Sequence, residues 1–309
     1  MTTYLPEGKL LNTQDNQTSI CSPEGLRRAK DSGKILEARA VLCDSQHNLM
    51  VDLGGIRGII PREEAAMGIA EGTTRDIAII SRTGKPVCFK IIELWQDAQG
   101  GIRPILSRRA AQQQCYNHYI SSLLPGQVIP ARVTHLESFG CFVDIGCGVI
   151  SLIPIDAISV SRISHPSDRF RPGQDIFAVV RGFDPLGRIT LSHKELLGSW
   201  EENAALFKGG QTVAGIVRSV ENYGVFVELA PNLAGLAEPC PWAKPGQHAS
   251  VYVKSLIPEK MKVKLMIVDT FEPPLGFPLP PQYFIRQGRL RLWRYSPESC
   301  ARQIETEFY

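Results

Sequence analysis

Two stretches, Phe139-Gly140-Cys141-Phe142-Val143-Asp144-Ile145 and Tyr223-Gly224-Val225-Phe226-Val227-Glu228-Leu229, are copies of one pattern. The register extends beyond them. Gly126-Gln127 is repeated as Gly210-Gln211 and Arg132-Val133 as Ile216-Val217, every pair 84 residues apart (210 − 126 = 223 − 139 = 84). Each copy reads as a strand with Val143 and Ile145, or Val227 and Leu229, pointing inward and Asp144 or its counterpart outward. Strict alternation puts aromatics three apart on opposite faces. A bulge or bend at the intervening glycine, Gly140 or Gly224, would return both rings to one outer surface. Exposed rings on a strand are how a small barrel stacks unpaired bases.

The pattern belongs to a wider plan. Glycine-led strands, Val-Asp-Ile-like strands and late closing strands recur over about 22–107, 124–193 and 209–270. Five short β segments in each block is the content of an OB-type barrel. The expected fold is all-β and modular: three tandem five-stranded OB-fold barrels joined by short helices. Residues 1–21 are polar and unpatterned and read as a flexible tail. Ser22-Pro23-Glu24 reads as the start of a leading helix. Linker helices are expected over 108–123 and 194–208. The second is placed by a Ser192/Glu195 capping box and a Leu196, Trp200, Ala204, Phe207 stripe. The run Pro273–Pro281 can be neither helix nor central strand and reads as an extended linker within 271–309. Beyond it, Arg289 to Tyr295 alternates basic and apolar residues, as a strand added to a barrel edge would.

Composition narrows the function. Among 309 residues, a net charge of +3 is too small for a protein that wraps duplex DNA by charge alone. No apolar run approaches the ~18 residues of a membrane span, and the start lacks a secretory pattern. The eight cysteines are scattered without a Cys-x-x-Cys pair, as expected of reduced thiols in a cytoplasmic protein. Cys115 and His118 have no second ligand pair at zinc-like spacing, so no metal or other cofactor is expected. Ser164-His165-Pro166-Ser167-Asp168 holds triad residue types, but neighbours on one loop rarely reach triad geometry. No nucleophile elbow, Walker loop or dinucleotide fingerprint is present, and no enzymatic activity is expected.

These residues resemble the S1-type RNA-binding repeats of the bacterial ribosomal protein S1 family. The second block matches best, through its aromatic strand, its long connection Ser161–Gly173 and its closing Asp184–Ser192 segment. The resemblance spans about residues 33–270. It implies an RNA face made by two aromatics, a third side chain and an Asp/Arg pair on the last strand. By position these are Phe139, Phe142, Ser151, Asp184 and Arg188, with Arg162, His165, Arg169 and Arg171 forming a basic loop beside them. In the third block they are Tyr223 and Phe226. Glu238 replaces the usual His there, and Lys254, Lys260 and Lys262 stand in for the missing Asp/Arg pair. The first block departs most. Gln46, His47 and Met50 lie near its ring positions and Pro61 takes the third.

The resemblance therefore implies a monomeric cytoplasmic protein that binds single-stranded RNA, messenger RNA in translation, without covalent chemistry. It also implies that the first repeat contacts the small ribosomal subunit. The alternatives are a regulatory RNA-binding protein or a protein-interaction adaptor away from the ribosome. Single-stranded DNA is a further ligand, because stacking does not read the 2′-hydroxyl.

Overall fold

The structure is a computed structural model and describes residues 4–96, 101–185, 187–272 and 281–309. Most of the proline-rich run, 273–280, lies outside the described residues. The chain divides into two compact units, Met1–Leu123 with Asp144–Ile150, and Leu124–Val143 with Ser151–Tyr309. Among the described residues the sheets are three closed five-stranded barrels, as the repeat predicts, and one two-stranded sheet.

The first barrel joins β1 (Leu36–Cys43), β2 (Leu49–Asp52), β3 (Arg57–Ile60), β4 (Pro86–Gln96) and β5 (Ile102–Ser107). Its core of Leu36, Ala38, Leu49, Val51, Leu53, Ile60, Val87, Phe89 and Leu106 comes from the inward positions of alternating strands. Ahead of it run α1 (Gln14–Ile20), capped by Thr13, and α2 (Pro23–Asp31), capped by Ser22 with Pro at its first turn. Within 1–21, a stretch read as a loose tail, residues 4–21 are in fact packed. Glu7, Asn16 and Ile20 are buried, and the Glu37 carboxylate accepts the Gly8 and Leu10 amides. Apolar periodicity misses this segment because polar contacts hold it. Arg108 pairs with Glu7 at 2.7 Å, and Cys88 donates its amide to the same carboxylate. Between β3 and β4 lies the single-turn α3 (Ile77–Ile80). The helix α4 (Arg108–His118), capped by Ser107, follows β5.

The second barrel comprises β6 (Val128–Glu137), β7 (Gly140–Asp144), β8 (Ile150–Pro154), β9 (Asp175–Phe183) and β10 (Ile189–Ser192). The third repeats it with β11 (Thr212–Glu221), β12 (Gly224–Ala230), β13 (Leu233–Ala237), β14 (His248–Ile257) and β15 (Lys262–Phe271). In both, as in the first, the third and fifth strands pair in parallel and close the cylinder. The expected helix 194–208 is broken. Residues 194–197 form a 3-10 turn, and α5 (Trp200–Ala204) starts anew under a Ser199/Glu202 capping box. The break is at Gly198, with φ +82°. A Cβ there would lie 2.8 Å from the Phe284 ring, so the chain turns where only glycine fits. The Leu196–Trp200–Ala204 stripe is nevertheless buried.

The segment 289–295 meets a barrel edge through one antiparallel bridge, Arg289 with Gln127 just ahead of β6, and does not continue along it. β16 (Leu292–Arg294) pairs with β17 (Glu305–Glu307) as a separate hairpin. Its Trp293, Tyr295 and Phe308 are buried in one core with Val179 of β9, Trp200 and the interior of the third barrel. Each aromatic so covered contributes about 2–3 kcal/mol. The 281–309 segment is fastened to both barrels of its unit. The Tyr283 hydroxyl oxygen accepts the Phe177 amide, the Leu290 amide donates to the Gly126 carbonyl at 2.9 Å, and the Tyr295 hydroxyl donates to the Asn232 carbonyl at 2.6 Å.

Candidate nucleic-acid interface

The rings lie outside. Phe139 is 54% and Tyr223 66% exposed, while Phe142 and Phe226 are half-buried on the outer faces of β7 and β12. Phe139 meets Phe142 edge to face at 5.9 Å, and Tyr223 meets Phe226 in the same way at 6.2 Å. The route to one face differs from the expected bulge at glycine. Phe139 and Tyr223 sit in the hairpin turns before the strands, so alternation does not bind them. The pairing from Gly224 to Phe226 is regular, and the register shift lies on the partner strand around Arg218. Glycine is needed for another reason. A Cβ at Gly140 would stand 2.6 Å from the Ile153 carbonyl oxygen, and one at Gly224 2.4 Å from that of Ala237.

The ladders define one row across each barrel. In the third barrel Ser219, Phe226, Leu236 and Lys264 are neighbours. The row of the second is His135, Phe142, Leu152 and Thr190, the last two paired directly and the first two in ring contact. His135 stacks on Phe142 at 6.4 Å and 27°, and its Nε2 meets Glu137 at 2.6 Å. The sequence pattern does not single out His135 or Lys264, which join the rings only through the strand pairing: His135 by ring contact with Phe142, Lys264 through Leu236. In the first barrel the row is Leu42, Met50, Ile59 and Ile105, all aliphatic. His47 there turns to Asp76 at 3.4 Å, Gln46 is exposed, and Pro61 follows β3.

Ser151 is not on the face. It is 5% exposed and donates its hydroxyl to the Ile189 carbonyl at 2.7 Å. The 84-residue register explains this. Ser151 corresponds to the buried Gly235 (235 − 84 = 151), whereas Glu238 corresponds to Pro154 (238 − 84 = 154). The third position of the second barrel is therefore Pro154, which is half-buried, as in the first barrel it is Pro61.

Asp184 and Arg188 do meet. The carboxylate accepts the Arg188 backbone N–H at 2.8 Å and its Nε at 2.7 Å, leaving the guanidinium 74% exposed. Arg188 stands two residues before Thr190 as Lys262 stands two before Lys264, so the ladders place Lys262 at the arginine's station. Lys260 is exposed in the preceding turn. Lys254 is taken up by Glu238 at 2.6 Å, so that glutamate is neutralised locally.

The basic loop is only partly basic at its surface. Arg162 and Arg171 are exposed and His165 half-exposed, with its Nδ1 capping the turn at Ser167. Arg169 is buried and bound to Glu228 at 2.6 Å, because a guanidinium removed from water needs a carboxylate beside it. Burial lowers its pKa, and Glu228 opposes that fall. Asp144, expected outward, is off the barrel interior but covered. It accepts amides from Glu7, Gly146 and Gly148 at 2.7–3.0 Å. Burial, with Glu7 nearby, pushes its pKa up to about 7.

Among the described residues no cluster of three or more His, Cys, Asp or Glu suits a metal, and no helix is long and apolar enough to cross a membrane.

Residues 123–194 match the family described as S1 RNA binding domain. The chain is 30% identical over 243 residues to small ribosomal subunit protein bS1 of Leuconostoc lactis, covering 73% of this chain and 54% of that protein. It is 30% identical over 262 residues to bS1 of Staphylococcus aureus strain COL, covering 79% and 64%. It is 32% identical over 241 residues to the bS1 homolog of Bacillus cereus, covering 72% and 60%. The chain thus spans less than two thirds of the length of these curated relatives. Three repeated barrels, a matched S1 domain and this similarity over most of its length make the chain a protein of S1-type repeats, similar to bS1.

Proposed function

We propose that this chain binds single-stranded RNA, messenger RNA during translation, by stacking bases on the ring pairs of its second and third barrels. The observation that carries the reading is the pair of exposed edge-to-face aromatic platforms, each with a cation at the same ladder station, Arg188 or Lys262. A strand laid over such a platform gains about 1–3 kcal/mol per stacked base whatever its sequence. Cations beside the rings add phosphate contacts or cation–π stacking. Two modest platforms on one chain gain further by linkage. The site residues are Phe139, Phe142, His135 and Arg188, with Tyr223, Phe226, Lys262 and Lys264. The first barrel, whose row carries no ring, is the candidate for contact with protein on the small ribosomal subunit. The protein acts as a cytoplasmic monomer.

Anisotropy with a labelled uridine oligonucleotide tests this. Phe142→Ala and Phe226→Ala should each weaken binding about 5- to 150-fold. Affinity unchanged in both variants would refute stacking and leave the adaptor reading. Sedimentation of ribosomes from the source cell, washed in low and high salt, tests the ribosomal part. Absence of the chain from the small-subunit fraction in both washes would leave general RNA binding alone.

A further inference from the structure

The third barrel has no counterpart of the Asp184–Arg188 pair, yet its aromatic row does not end at bare strand. The outward face of β12 carries Phe226 and then Glu228, two residues on and about 7 Å away along the strand. At Glu228 the loop 158–171 of the second barrel arrives. Arg169 reaches Glu228 at 2.6 Å. Asp168 meets Arg218 at 3.4 Å, and Arg218 in turn holds Glu228 at 2.8 Å. Arg218 can do so because it is the extra residue at the register shift of β11, which swings its side chain over the neighbouring strand. Further along, the Ser161 amide donates to the Pro231 carbonyl at 3.2 Å, and Asn232 accepts the Val160 amide at 2.9 Å. The loop is thus pinned to the third barrel near both of its ends, at Val160–Ser161 and at Asp168–Arg169.

The charges of this junction balance: two guanidiniums face two carboxylates, with Arg169 and Glu228 buried and Arg218 and Asp168 partly exposed. The loop exposes the Arg162 guanidinium next to the pinned Ser161, with the half-exposed His165 in the turn before Asp168. Ser161 is bonded to Pro231, five residues beyond Phe226, and Asp168 to Arg218, next to Ser219, the ladder partner of Phe226. We propose that the third barrel's nucleic-acid face is composite. Its rings come from Tyr223 and Phe226, and part of its phosphate contact comes from the second barrel's loop, through Arg162 and His165. The loop serves the neighbouring barrel's rings in place of its own. This rests on the single-strand reading above.

A double-mutant cycle tests it with the full chain and a labelled uridine oligonucleotide. Arg162→Ala removes an exposed charge and should leave the thermal melt unchanged. Its affinity should fall about fivefold, with a shallower salt dependence. In a Phe226→Ala background the same change should cost less than about twofold, because the strand no longer passes the loop. In a Phe142→Ala background it should keep its full effect. The opposite pattern, or an effect independent of both rings, overturns the composite face while the stacking reading stands. If neither ring substitution alters affinity, the stacking reading and this inference fall together.

Discussion

Replacing His193 by Gln tests the polar centre beneath the second barrel. The ring is fully buried, edge to face with Phe170 at 4.9 Å and with Tyr283 at 5.4 Å. Nδ1 faces the Ile158 carbonyl at 2.9 Å and so must carry the hydrogen. Nε2 faces the Tyr283 hydroxyl at 3.1 Å and so accepts. The Tyr283 oxygen already accepts the Phe177 amide, which leaves its proton for the ring. Every position is filled by the neutral imidazole. Burial pushes the pKa from 6.5 down to about 4, with Arg169 adding to the fall and the Ile158 bond opposing it. The sign follows. Below 6.5 the unfolded chain takes up a proton that the folded chain refuses until about pH 4. The contribution is therefore whole above 6.5 and is lost as pH falls through that window. From about pH 7.5 to about pH 5.5 the loss is about 1.4 kcal/mol, and by pH 4 it is about 3 kcal/mol. Urea melts followed by tryptophan fluorescence measure it, since Trp200, Trp242 and Trp293 all report on this unit. His193→Gln will lower stability at neutral pH but should remove this part of the acid dependence. The same drop between pH 7.5 and 5.5 in the variant and the parent would refute the assignment.

Arg169→Met should destabilise the same unit by about 3 kcal/mol, because it strands Glu228 with Arg218 as its remaining cation; denaturant midpoints measure it. Arg188→Ala should reduce the slope of log affinity against log salt by about 0.7, one phosphate on single-stranded RNA, and leave the melting temperature unchanged. A slope equal to that of the parent would place Arg188 off the nucleic-acid path.

The barrels were legible because their signals are local. Alternation sorts Val143 and Val227 inward, and the repeated glycine marks where a neighbouring carbonyl comes close. A turn of two residues then frees the first ring of each pair. What escaped depends on partners distant in sequence. Nothing near Arg169 announces Glu228, 59 residues away, and a loop arginine reads as solvated until a second barrel covers it. Ser151, placed by the resemblance alone, falls on the inward side of its strand. Counting from the other copy puts Pro154 at the third position. The residues around Glu7 and Asn16 have no apolar period, since carboxylates and amides do the anchoring. His135 stands across a ladder from Phe142, and that adjacency exists only once the strands pair.

The segment 281–309 has a mechanical consequence. It bonds to Gly126 and Phe177 on one side and to Asn232 on the other, so the second and third barrels cannot part without peeling it away. Amides of β9, β13 and β16 would then exchange with deuterated solvent as one cooperative block, at a single opening free energy. Two modules built on one repeated pattern would thereby have stopped behaving as beads on a string.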